Sequence, residues 1–188
     1  MIRTGFFLLF SLIGLSLYSQ SDSLYKGSPQ PLRYALGFGT NFNLDDFYFD
    51  FNYGLQDTEY QWGAALSFDM RPYFKKVQIV DKPNHVSQYF EKKFFLALEG
   101  EKRFLELHVG SKTLRALLAA KVGWLFGNYR GLKQAPQSYF GFSPMAGFSF
   151  DLGKSGYFKF GYCFLDNKNI NIPNNRIFFG ITFLLGEI

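Results

Sequence analysis

The stretch Asp46-Phe47-Tyr48-Phe49-Asp50-Phe51-Asn52-Tyr53-Gly54 decides how the chain folds. Phe47, Phe49, Phe51 and Tyr53 share one parity, and Asp46, Tyr48, Asp50 and Asn52 share the other. A strand turns successive side chains to opposite faces, so this segment reads as a strand with one aromatic and one polar face. The same period recurs on both sides of it. Upstream, Tyr34, Leu36 and Phe38 oppose Ala35, Gly37 and Gly39, and Asn43-Leu44-Asp45 reads as a short turn. Downstream, beyond a turn at Gln56-Asp57-Thr58, Trp62, Ala64, Leu66, Phe68 and Met70 oppose Gly63, Ala65, Ser67, Asp69 and Arg71.

The pattern continues to the end of the chain. Pro72 to Gln88 reads as a longer polar connection. Phe94, Leu96 and Leu98 then oppose Phe95, Ala97 and Glu99, but Leu105, Leu107 and Val109 fall on the other parity. A β-bulge, or a turn at Gly100 to Arg103, accounts for that slip between residues 99 and 105. Four more alternating segments follow. They carry Ala116 to Phe126, Phe140 to Phe150, Phe158 to Phe164 and Phe179 to Leu185 on their apolar parities. The expected fold is therefore all-β: an eight-stranded antiparallel up-and-down barrel, its strands about 9–11 residues long, the length that crosses a bilayer at a tilt.

Volume decides which face is inside. An eight-stranded barrel has an interior just wide enough for side chains. Phe47, Phe49, Phe51, Trp62, Phe68, Trp124, Phe148, Phe158, Phe160, Phe179 and Phe183 would overpack it. The opposite parity is rich in Gly, Ala and Ser and fits a narrow lumen. The aromatics are thus expected to face lipid, in a chain that is 21% aromatic with 25 Phe and 12 Tyr. The lumen would then hold Asp50, Asp69, Glu99, Arg71, Arg115, Lys121 and Lys159. Buried charges must be paired, so these are expected to form a polar network that plugs the barrel. The other reading of the same residues is an ion path.

Residues 1–20 have the layout of a secretory signal: Arg3, then the apolar run Phe6 to Leu17, then Ser19-Gln20. The run is too short for a membrane-spanning helix, which needs about 20 residues. Residues 21–32 read as a flexible leader, and 33–188 as the barrel. The single cysteine, Cys163, excludes an internal disulfide. A net charge of +5 with scattered Lys and Arg suits anionic lipid better than nucleic acid. With the C-terminus on the periplasmic side, the loops at 76–88, 127–137 and 166–175 fall outside and the short turns inside.

The eight alternating strands and the closing segment Arg176-Ile177-Phe178-Phe179-Gly180-Ile181-Thr182-Phe183-Leu184-Leu185-Gly186 resemble the outer membrane protein beta-barrel domain family, the opacity-type or porin-like small barrels. The resemblance implies a cell outer-membrane location and contact with outer-membrane lipids. It also implies insertion by the barrel-assembly machinery. It implies no single activity and no cofactor. A protein partner reached through the outer loops is one expectation for the chain's role. Chemistry is sparse: His85 and His108 are the two histidines, and no Cys/His cluster signals a metal. His85-Val86-Ser87 with Glu99 resembles the His-x-Ser…Glu arrangement of outer-membrane lipid A deacylases, although Gln88 stands where those enzymes carry Asn. Three functions are expected in that order: a structural or surface-interaction barrel, a minor channel for small solutes, and a lipid A-modifying enzyme. Extracted from membranes, the protein should migrate faster on a gel unheated than boiled; a soluble protein without that shift would contradict the barrel.

Overall fold

A computed structural model describes residues 32–187 except 60, 83–84, 111, 133–135, 167 and 169–170. The expected signal segment, and the leader up to residue 31, lie outside the described residues. Nine strands form in chain order: β1 Leu32–Phe42, β2 Phe47–Asp57, β3 Trp62–Met70, β4 Lys75–Lys82, β5 His85–Val109, β6 Lys112–Tyr129, β7 Tyr139–Asp151, β8 Gly156–Phe164 and β9 Asn175–Glu187. Every pairing is antiparallel.

Hydrogen-bonded neighbours run β3-β2-β1-β9-β8-β7-β6-β5, and β5 pairs again with β3. That second pairing closes a ring of eight strands, and β4 stands outside it, paired only with β5. The closing seam joins Phe38 to Ile181 and Gly39 to Gly180 in register. A closed ring leaves no unpaired backbone edge, as a hydrocarbon environment demands. No helix among the described residues is long and apolar enough to cross a membrane; this chain crosses with strands.

Each parity keeps its face around the whole ring. Phe49, Phe51, Trp62, Trp124, Phe148, Phe179 and Phe183 are exposed on the outside. Phe47, Phe68, Phe158 and Phe160 share that outward parity and are partly covered by their neighbours. Ring contacts bridge successive strands: Phe38–Phe51, Phe68–Phe94, Phe94–Phe126, Trp124–Phe140, Phe148–Phe160, Phe160–Phe179 and Phe42–Phe179, with centroids 5.4–6.4 Å apart. A continuous apolar exterior of this extent would be costly in water and is favourable in lipid. The fold is an eight-stranded transmembrane β-barrel.

One open alternative is settled, and two local expectations need correction. The parity slip is a bulge, not a turn: Gly100 to Arg103 stay paired with Ala120 to Leu117, and the register shifts between Phe104 and Glu106. Leu105 is the extra residue, held at φ 53°. Residues 76–88 are not a polar loop. They belong to a β-hairpin in which Val77 faces Tyr89, Ile79 faces Ser87 and Val80 faces Val86, β-branched residues that favour the extended backbone. The connection at 127–137 is shorter than expected, because β6 runs on to Tyr129 opposite Glu91.

The lumen also holds more apolar bulk than its Gly, Ala and Ser content suggests. Tyr48, Phe95, Ala97, Leu125 and Leu165 pack near the end that bears the β4–β5 hairpin. Leu117, Met145, Cys163 and Phe178 form a second cluster. Glycines make room by letting strands approach. Gly147 and Gly161 face each other across β7 and β8, and a Cβ on either would collide with the carbonyl on the opposing strand. Gly161→Val should therefore cost about 1–3 kcal/mol or more through overpacking, read as a lower urea midpoint for loss of the fast-migrating gel form; an unchanged midpoint would show that this approach is not tight.

Candidate functional site: the charged lumen

The inward parity brings together acidic and basic side chains from seven of the eight barrel strands and from the turns between them. At the centre, the Lys121 Nζ of β6 lies 2.9 Å from Asp50, 2.6 Å from Asp69 and 3.7 Å from Glu99. Lys159 of β8 lies 2.6 Å from Glu99 and 3.2 Å from Glu101. Ser67 donates to both Asp50 and Asp69, and Tyr157 donates to Glu101. Five strands thus meet on two ammonium groups, which no local sequence window contains.

Toward the hairpin end, Asp46 accepts from Arg71 at 2.7 Å and from Arg176 at 2.8 Å, with all three side chains inaccessible. Both guanidinium groups also lie over the Tyr48 ring, 5.2 Å and 4.7 Å from its centre. Glu91 takes the other side of Arg71 and also meets Lys93. Asp46 sits in the β1–β2 turn, outside the strands. Burial alone would raise its pKa, but the two arginines prevail and hold the carboxyl below its usual range. Asn41 ties this cluster to the centre, donating to Asp69 and accepting from Arg176.

At the opposite end Arg115 pairs with Glu106 and Asp151, and Arg103 with Asp151. Arg103 also stacks on Tyr157, 3.7 Å from the ring centre. The charges therefore form a column along the barrel axis. The space beside Asp50, Asp69, Lys121, Ser143, Lys159 and Cys163 is about 10 Å³, roughly room for one water.

Loops cover the hairpin end. The Asn171 side chain donates to the Lys76 carbonyl and accepts from the Gln78 amide, which fastens β4 to the β8–β9 loop. Asn43 donates to the Pro173 carbonyl and joins the β1–β2 turn to the same loop. Val77, Leu165 and Ile172 are buried beneath these contacts.

Asp50, Asp69, Glu99, Arg71, Arg115, Lys121 and Lys159 all stand on the inner face, but in three groups rather than one. Arg71 belongs with Asp46 and Glu91, and Arg115 with Glu106 and Asp151. Asp46, Glu91, Lys93, Glu101, Arg103, Glu106, Asp151 and Arg176 complete the column and were not singled out from the sequence. Strand parity marks half of them, since Glu91, Lys93, Glu101 and Arg103 share the parity of Glu99.

The proposed His85, Ser87 and Glu99 do not assemble. His85 and Ser87 lie in the projecting hairpin. Glu99 is twelve residues further along the same continuous strand, roughly 40 Å away at 3.4 Å per residue. Its carboxylate is engaged by Lys159 and Lys121 inside the barrel.

No family model and no curated protein sequence matches the chain. Among solved structures it is similar to outer-membrane barrels. Neisserial surface protein A has 11% identity and a TM-score of 0.48 over 81% of this chain and 94% of that one. Ail, the attachment invasion locus protein of Yersinia pestis, solved with the heparin analogue sucrose octasulfate, has 13% identity and a TM-score of 0.40 over 84% of this chain and 99% of that one. Ail in a phospholipid bilayer nanodisc gives 13% and 0.43. The barrel here rests on its own closed register and outward aromatic face.

Removing one partner from a buried ion pair typically costs about 3–5 kcal/mol. Lys121→Met should cost about that much in urea unfolding, because Asp50, Asp69 and Glu99 then face one another; adding Asp69→Asn should recover part of it. A Lys121→Met barrel as stable as the original would show that this ammonium does not hold the lumen together.

Proposed function

We propose that this protein is a small outer-membrane barrel of the opacity-type kind, with a plugged lumen and a surface-interaction role. It would be exported through the expected signal segment and inserted by the barrel-assembly machinery. The hairpin end would face the exterior and the short connections after β2, β5 and β7 the periplasm, since such barrels carry their longer loops outside. The observation that carries this reading is the ion-pair column, which spans the lumen and leaves about 10 Å³ beside its central lysines. A conducting path needs continuous water, and beside the central lysines there is room for about one water.

The projecting hairpin fits a partner surface. It extends past the ring, and Asn171 braces it against a second loop. Bracing lowers the entropy lost when a partner binds. A channel role would require the column to part. A lipid A-modifying role through His85 and Ser87 would require an acid that this fold holds far along the strand, at Glu99.

Planar-bilayer recording tests the plug. The purified barrel should give no steady current, and a Lys121→Ala/Lys159→Ala/Glu99→Ala variant that still folds should be leakier. A steady open conductance from the unaltered protein would overturn the plugged reading in favour of a channel.

A further inference from the structure

The outward face of β4, β5 and β6 changes character at one height. Phe68, Phe94 and Phe126 stack across three strands, with centroids 5.9 Å and 5.5 Å apart, as part of the aromatic exterior. One outward position further toward the hairpin, about 7 Å along the strand, stands Lys92, its ammonium 5.7 Å from the Phe94 ring centre. At the next outward position Phe90 is 51% exposed. It is flanked in register by Lys76 on β4 and, through the Arg130 amide to Phe90 carbonyl bond of 2.8 Å, by Arg130 beyond β6. Lys76 and Arg130 are both exposed.

Three cations therefore surround one exposed aromatic just above the apolar belt. Among the described residues no carboxylate stands on this face. Glu91, between Phe90 and Lys92 in sequence, turns inward to Arg71 and Lys93. On the inner face cations meet carboxylates at close range; no such ion pair involves Lys76, Lys92 or Arg130 among the described residues. The height is that of lipid headgroups, where an anion would supply the missing charge. A phosphate accepts several charge-assisted hydrogen bonds at once, and Phe90 gives the adjoining lipid an apolar surface.

We propose that Lys76, Lys92 and Arg130 form a binding site for the phosphate of an outer-leaflet lipid headgroup, with Phe90 as its apolar floor. The site rests on the outer-membrane reading above and adds a specific lipid contact to it.

Native mass spectrometry of the full-length barrel in detergent, with equimolar phosphatidic acid and phosphatidylcholine, reads the site directly. The unaltered protein should retain phosphatidic acid about tenfold over phosphatidylcholine, a modest gain for three interfacial cations. Lys76→Gln/Lys92→Gln/Arg130→Gln should bring that ratio near one, while Lys112→Gln at the opposite end should leave it unchanged. Equal retention by the triple variant, with its fast-migrating gel form intact, would overturn the site. Displacement of the lipid by an equal concentration of inorganic phosphate would overturn it too, by assigning a free-anion site. An unaltered protein that never enters micelles would instead defeat the outer-membrane reading.

Discussion

Lys121 is the residue around which the interior is organised. Its ammonium sits within ion-pair reach of carboxylates from β2, β3 and β5. Burying a charge is expensive, and the cost is offset only when partners and hydrogen bonds are in place. Glu99 already faces Lys121 across the β5–β6 pair, but Asp69 and Asp50 stand two and three strands away, so they reach the ammonium only when the sheet has curled into the barrel. Full pairing of this lysine therefore depends on the curvature of the barrel. The apolar exterior makes no such demand, since lipid accepts any large side chain without a fixed partner.

The same asymmetry explains what the sequence disclosed. Period-2 alternation was legible from Arg33 to Leu185, and volume alone turned the aromatics outward. The eight-strand ring followed from those two facts. What stayed hidden depends on partners distant along the chain. Asp46 reads as one more residue on the polar parity of the segment 46–54, and nothing local announces that it lies just outside the strand with Arg71 and Arg176 converging on it. Leu105 reads only as a slip in parity; the register with β6 is needed to identify a bulge. The hairpin at 75–91 was obscured by its Lys and Gln content and by Pro72, although Val77, Ile79, Val80 and Val86 are good strand formers.

The lumen also tempers the volume argument. Phe95, Leu117, Leu125, Met145 and Phe178 are inside. They fit because their neighbours are small: Gly123 faces Ala97, and Gly147 faces Gly161. Narrowness is met by alternating large and small residues between strands rather than by excluding large ones. Apolar layers thus separate the charged ones and restrict where water can reach them.

One consequence of the Asn171 clamp concerns other copies of the chain. β4 is the strand that the ring leaves with an open side. Such a side is a template on which a neighbouring strand can add, and proteins guard against this. Asn171 occupies the Lys76 carbonyl and the Gln78 amide with a side-chain amide that imitates a strand and then stops. At these two groups a neighbouring copy finds no free hydrogen-bonding partner, so the clamp hinders addition of a further strand to the open side of β4.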